Sequence, residues 1–302
     1  RKVLEELANH PVLQKENALS IDARGDQLIS LLLIYNMLGD NVKMYEAALE
    51  KVEMIEVHPH LWKFDYKWSG YTNFIRFCNT PERFEAGKKA LENFSNLPCK
   101  TAEQQKQQVF GKASAAVFFY FLQQRYESVV ELDAEVFKML AEDTGYIGEG
   151  DRVSLYCAFI WTYVILEKHD EALRWFAELR IDSGRILIGD IQLAATLAAL
   201  VAQKQLNYDS LVSSTCRILK RMIAENKAMK LESTFIHHIQ KVPPPLEEDQ
   251  YWQNFKQVLG SGNFSKVWSV NFSFQIAVAW IDSKIRKRPL REMLVQNLSG
   301  ER

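Results

Sequence analysis

The densest run of small and polar residues in the chain is 259–267, LGSGNFSKV, whose GxGxF spacing is that of a glycine-rich loop closing over ATP phosphates. A loop of that kind needs a lysine on a following V-A-I-K-like strand, and further on a catalytic-loop aspartate and a magnesium-binding aspartate. Here AVAWI sets Ile281 at the lysine position, and no such aspartate pattern follows. The segment therefore reads as a Gly-Ser-Gly-Asn turn joining two helices, and no nucleotide binding is expected. His237 and His238 invite a metal reading, with Cys216 nearby in sequence. Neighbouring helical residues diverge by about 100°, however, and no third or fourth ligand stands at a workable spacing. His58 and His60 flank Pro59 in an inter-helix loop, where a turn histidine facing solvent is expected.

Nucleophilic catalysis fares no better. The chain has no G-x-S-x-G elbow and no cysteine at a helix start, and Cys157 and Cys216 fall inside helical patterns where a thiol is buried and inert. Glu247 and Glu248 sit in a charged segment where nothing would raise a carboxyl pKa. No catalytic residue, cofactor or metal site is expected, and the chain reads as a non-enzyme. With 37 Lys and Arg against 38 Asp and Glu, the net charge of -1 offers no global attraction for nucleic acid or an anionic membrane. The one basic cluster is Lys284, Arg286, Lys287, Arg288 and Arg291. It supports an alternative reading as a helical accessory domain touching nucleic acid. Cations at a helix C-terminus are favoured by the dipole alone, and no aromatics interleave with them for base stacking.

The elements that carry these residues are helices. Gly and Pro number only 13 and 8, while apolar-rich segments alternate with charged amphipathic ones. The apolar segments are 28–38, 71–78, 113–122, 155–166 and 191–202. The amphipathic partners carry single stripes, such as Val42, Tyr45, Leu49 and Val52, or Val129, Leu132, Val136 and Leu140. Turns near Gly39-Asp40, Asn79-Thr80-Pro81, Gln124-Arg125, Lys168-His169-Asp170 and Leu206-Asn207 recur every 37 to 45 residues or so, the range of helical-hairpin repeats. Thr80 before Pro81, and Thr101 three before Gln104, mark helix starts. The expected fold is all-α: a right-handed superhelix, or α-solenoid, of antiparallel helix pairs, more than about 60% helical. Three prolines in KVPPPLEEDQ interrupt the pattern, dividing repeats over 1–242 from a C-terminal helical cap over 243–302. The longest apolar run, Leu155 to Leu166, has 12 residues and is too short to span a bilayer. Four cysteines without CxxC spacing, Cys78, Cys99, Cys157 and Cys216, fit reduced thiols in a cytoplasm. The opening RKVLEELANHP lies inside a helical pattern, so a portion upstream is expected.

At IYNMLGDNVKMYEAALEKV and FIWTYVILEKHDEALRWFAEL the chain resembles the tetratricopeptide repeat, with Gly39 where that repeat makes its turn. ANHPVLQKENALSIDARG, GDNVKMYEAALEKVEMIEVHPHL and AWIDSKIRKRPL are similar to a set of uncharacterised bacterial helical-repeat proteins. That resemblance implies the fold and no activity, and a recurring asparagine of the set would correspond to Asn73. In such a superhelix the first helix of each pair lines an inner face, where polar residues need a reason. Asn73, Arg76, Tyr120, Gln123 and Tyr156 are the ones expected to hold a partner protein or peptide. Asn73 and Arg76 share a face at i and i+3 and suit a peptide backbone or carboxylate.

Overall fold

The computed structural model describes residues 1–143, 147–182, 189–225, 230–240, 248–260 and 268–299. It is 83% helix, with no strand among the described residues. The helices are α1 (Lys2–Ala8), α2 (Ile21–Leu38), α3 (Asn41–Val57), α4 (Phe64–Phe77), α5 (Phe84–Ser95), α6 (Ala102–Leu122), α7 (Tyr126–Glu131), α8 (Asp133–Ala141), α9 (Glu149–Ile165), α10 (His169–Asp182), α11 (Gly189–Gln205), α12 (Asp209–Glu225), α13 (Lys230–Ile239), α14 (Glu248–Gly260), α15 (Trp268–Arg286) and α16 (Leu290–Ser299). The proline-rich break at 241–247, and 261–267 of the glycine-rich segment, lie outside the described residues.

Local chemistry accounts for the helix ends. Ser20 Oγ accepts from Ala23 N at 3.0 Å to open α2, and Asp40 Oδ1 accepts from Lys43 N at 3.1 Å to open α3. Thr101 Oγ1 accepts from Gln104 N at 3.1 Å while Gln104 Oε1 accepts from Lys100 N at 2.8 Å, so the first turn of α6 is satisfied from both sides. Five helices close in one way, through a left-handed residue just past the end: Gly39 at φ 71°, Gln124 at 57°, Glu167 at 58°, Asn207 at 58° and Lys287 at 53°. Each following N–H returns to a carbonyl of the last turn, Asp40 to Tyr35, Arg125 to Tyr120, Lys168 to Tyr163, Tyr208 to Gln203 and Arg288 to Ser283, at 2.8 to 3.2 Å. These closures stand at intervals of about 40 residues or about twice that.

The chain forms two compact units, Arg1–Ser128 with Ala134–Tyr146, and Val129–Asp133 with Ile147–Arg302. In the first, α3 packs on α2 and α4, and α4 packs on α5 and α6. Met44, Ala48, Ile55, Phe74, Ile75, Phe94, Val117 and Phe119 form its interior. The segment 28–38 is apolar-rich, yet Leu33 is 61% and Met37 62% exposed. α2 packs chiefly on α1, α3 and the short turn after α1, with Gly25 set against Trp62 and Tyr66, and this leaves Leu33 and Met37 at the surface among the described residues. In the second unit α9 is buried almost throughout, with α10 and α11 against it, and α11 packs against both α12 and α15. Trp161 Nε1 donates to Ser273 Oγ at 2.9 Å, and Ser273 Oγ donates to the Ala194 carbonyl at 2.9 Å, tying α9, α15 and α11 through buried polar atoms. The stripe expected to run from Val129 to Leu140 divides into α7 and α8 at Leu132. There the Asp133 carboxylate turns to three partners, Tyr163 Oη, Arg174 Nη2 at 2.7 and 2.8 Å, and Trp175 Nε1 at 2.8 Å.

Candidate functional site

Four of the five residues singled out from the sequence fall in the first unit and one in the second. Asn73 is half-buried and Arg76 exposed on α4, where their spacing sets them on adjoining turns of one face. The Arg76 guanidinium lies 5.5 Å from the centre of the half-buried Phe118 ring on α6. Tyr120, also half-buried, follows two residues along α6, its ring 5.4 Å from Phe119 and its carbonyl engaged by Arg125 N in the helix closure. Gln123 has a different task. Its Nε2 donates to the carbonyls of Cys78 and Thr80, both at 2.7 Å, and so satisfies acceptors at the frayed end of α4. Gln108 does the same for the end of α5, reaching the carbonyls of Phe94, Ser95 and Leu97 at 2.8 to 3.2 Å. Tyr156 is 3% exposed, with its ring 5.8 Å from Trp175 in the core of the second unit. It offers no surface there.

What the sequence reading did not register is that arginines of the first unit lie over aromatic rings. Arg83 stands 3.9 Å from the Tyr45 ring, Arg125 3.7 Å from Phe84, and Arg76 joins them over Phe118. Arg83 Nη1 also donates to the Phe77 carbonyl at 3.2 Å, so part of its role is to hold the chain past α4. These pairs join residues 38 to 42 positions apart, at a separation for which periodicity carries no signal. Arginine and aromatic side chains are the types that dominate binding energy at protein interfaces, and these three rings are half-buried.

A concavity of about 530 Å³ opens between the loop before α2 and the end of α3, lined by Lys15, Leu19, Arg24, Glu50, Met54 and His58 among others. Its charges are already paired. Arg24 grips Glu50 through Nε at 3.0 Å and Nη2 at 2.7 Å, and Lys15 Nζ adds a third contact at 3.0 Å. Those hydrogen bonds, from Arg24 first, hold the Glu50 carboxyl below its ordinary pKa in spite of burial.

No known family model, curated protein or solved structure matches the chain. What the site can do is therefore argued from its own chemistry. Cys78, Cys157 and Cys216 are buried thiols, and burial pushes their ionisation up, to about 12 for Cys78 and about 11 for Cys216. A thiol so placed is a poor nucleophile. Among the described residues no three His, Cys, Asp or Glu side chains converge to hold a metal ion, and no helix is long and apolar enough to cross a membrane. At the basic cluster, Arg286 Nη1 donates to Gln296 at 3.3 Å, while Lys287 adopts the left-handed closure of α15.

Proposed function

We propose that the protein is a non-enzymatic binding scaffold whose helix pairs stack as tetratricopeptide-like solenoid repeats and whose first unit holds a partner protein or extended peptide. The observation that carries the reading is the surface made by Arg76 over Phe118, with Asn73 one turn back. Arginine set over an aromatic ring is a combination that carries binding energy at interfaces, and the amide of the half-buried Asn73, one turn away, has both donor and acceptor groups. Tyr120 adds contact area at the same end of α6. Gln123 and Tyr156 are left out of this surface, the one because its amide is spent on two carbonyls and the other because it is interior. The repeat half of the reading is supported by the left-handed helix closures, which stand about 40 residues apart or about twice that.

The test is capture from lysate of the native host with the full chain and with Arg76→Ala, retained proteins being identified by mass spectrometry and then measured pairwise. A partner held by the native chain should bind Arg76→Ala at least about fivefold more weakly, corresponding to about 1 kcal/mol, while the thermal melt is unchanged. Equal binding by the two chains would remove this surface from the proposal. Loss of the melt in Arg76→Ala would make Arg76 a structural residue.

A further inference from the structure

Lys51 on α3 is 1% exposed and is among the most buried side chains of the molecule. Its Nζ donates to Ser69 Oγ on α4 at 3.0 Å and stands 4.3 Å from the centre of the Tyr66 ring. That ring also stacks on Trp62, with centroids 4.3 Å apart and planes 12° apart. The stem passes Gly70, where a Cβ would come within 2.5 Å of Ile55 Cδ1 and 3.6 Å of Lys51 Cε. A buried ammonium ordinarily takes a carboxylate partner. None pairs with Lys51 among the described residues, and burial alone pushes its pKa down to about 8. Near that pH about half of the molecules carry a neutral amine with a free lone pair. The hydroxyl of that same ring, Tyr66 Oη, is buried and has no hydrogen-bond partner among the described residues. Burial, aided by Asp26 and Asp22 on α2, pushes the Tyr66 phenol up to about 12, so it keeps a proton to donate.

We propose that Lys51 is a carbon dioxide acceptor, its uncharged amine forming a carbamate held by the hydroxyls of Ser69 and Tyr66. In the reaction the Nζ lone pair attacks the carbon of carbon dioxide, one carbon–oxygen π pair moves onto oxygen, and the nitrogen sheds one proton to water. Nothing is oxidised or reduced. The product is an anion with two oxygens, which gives Tyr66 Oη the acceptor it lacks; the Ser69 hydroxyl, which donates to the Tyr66 carbonyl at 3.1 Å, would turn from that carbonyl to the stronger, charged acceptor. Carbon dioxide suits the place because it is small and uncharged and so enters apolar packing, where a charged electrophile would be penalised. Ser69 and Tyr66 keep partial exposure, which makes the path in a short one.

The experiment uses the full chain equilibrated with isotopically labelled bicarbonate near pH 8, trapped with a trialkyloxonium salt, digested and mapped by mass spectrometry. The trapped carbamate should fall on the peptide containing Lys51, at least about tenfold above any other lysine. Lys51→Met should remove it, and Tyr66→Phe and Ser69→Ala should each lower occupancy by about tenfold. Circular dichroism would establish that these variants fold. A native chain that shows no adduct at Lys51, or an equal spread over all lysines, overturns the proposal without any variant. Folded Tyr66→Phe and Ser69→Ala chains with undiminished occupancy overturn the site as drawn.

Discussion

At Lys51 the fold disfavours a proton, and the consequence for stability has a definite sign. The unfolded lysine titrates at 10.5 and the folded one at about 8. A depressed folded pKa contributes stability that is present above pH 10.5, is lost as pH falls toward 8 and stays lost below it. In buffer free of carbon dioxide, stability of the first unit should therefore climb by roughly 3 kcal/mol over that window relative to Lys51→Met, and the variant should be the more stable chain at pH 7. Tyr66, whose folded pKa is raised, works the other way above pH 10, so the difference between the two chains is the quantity to read from urea melts. A native chain that runs parallel to Lys51→Met from pH 8 to 10 would mean that Lys51 is solvated. Asp133 is the complementary case in the second unit, a carboxylate surrounded by Tyr163, Arg174 and Trp175. Asp133→Ala should cost about 3 kcal/mol, because it strands three donors, and Asp133→Asn less. Neither residue was visible in the sequence. Lys51 sits in an ordinary amphipathic segment and Asp133 inside the stripe expected to run from Val129 to Leu140, and only long-range packing shows that one has no carboxylate beside it among the described residues and the other has three donors.

At the scale of the helix, what could be read was what is written locally. Thr101 caps the helix it precedes, whereas Thr80 makes no side-chain cap and Pro81 opens a short 3₁₀ turn ahead of α5, and the turn at Gly39 lies where glycine and aspartate suggest it. The turns near Gln124, Glu167 and Asn207 were also placed within a residue or two, from the switch between apolar and amphipathic segments. Their left-handed geometry was not, since only asparagine among the three favours it. That geometry makes a prediction. Glu167→Gly should stabilise the chain by about 0.5 to 1 kcal/mol, the relief of a strained φ less the extra backbone entropy of glycine, whereas Asn207→Gly should change it less. A fall in thermal midpoint for Glu167→Gly would show that its side chain does more than tolerate the turn. Gln123 shows why site residues were harder to read than elements. A polar residue at the end of an apolar helix looks available for a partner, yet its amide is spent on carbonyls more than forty positions earlier in the chain. Gln123→Ala should cost about 1 to 3 kcal/mol by leaving Cys78 O and Thr80 O unpaired, and should leave the affinity of an Arg76-dependent partner unchanged in the fraction that stays folded.

At the scale of the molecule, the sequence conveyed an all-helical chain with apolar segments for its core, and Trp161, Phe176 and Leu197 are buried. It did not convey which helix lies against which once hairpins stop packing in simple succession, because the contact of α11 with α15 spans some eighty positions and leaves no period to read. The two compact units each have their own interior, so damage to one core need not reach the other. Trp161 is the residue on which to test this. Its indole is 3% exposed, meets the Phe272 ring edge-on at 5.3 Å, and donates to Ser273, which in turn holds the Ala194 carbonyl. Trp161→Ala removes a large apolar side chain and one buried hydrogen bond, and should cost about 3 to 5 kcal/mol. Hydrogen exchange should then quicken in α9, α11 and α15 while protection in α3, α4 and α6 stays at its native level. Trp161→Phe keeps most of the volume but leaves Ser273 Oγ without its donor, so it should cost about 1 to 2 kcal/mol with the same regional pattern. Uniform loss of protection over both units in Trp161→Ala would mean that the chain unfolds as one cooperative body, and unchanged exchange everywhere would remove Trp161 from the core of the second unit.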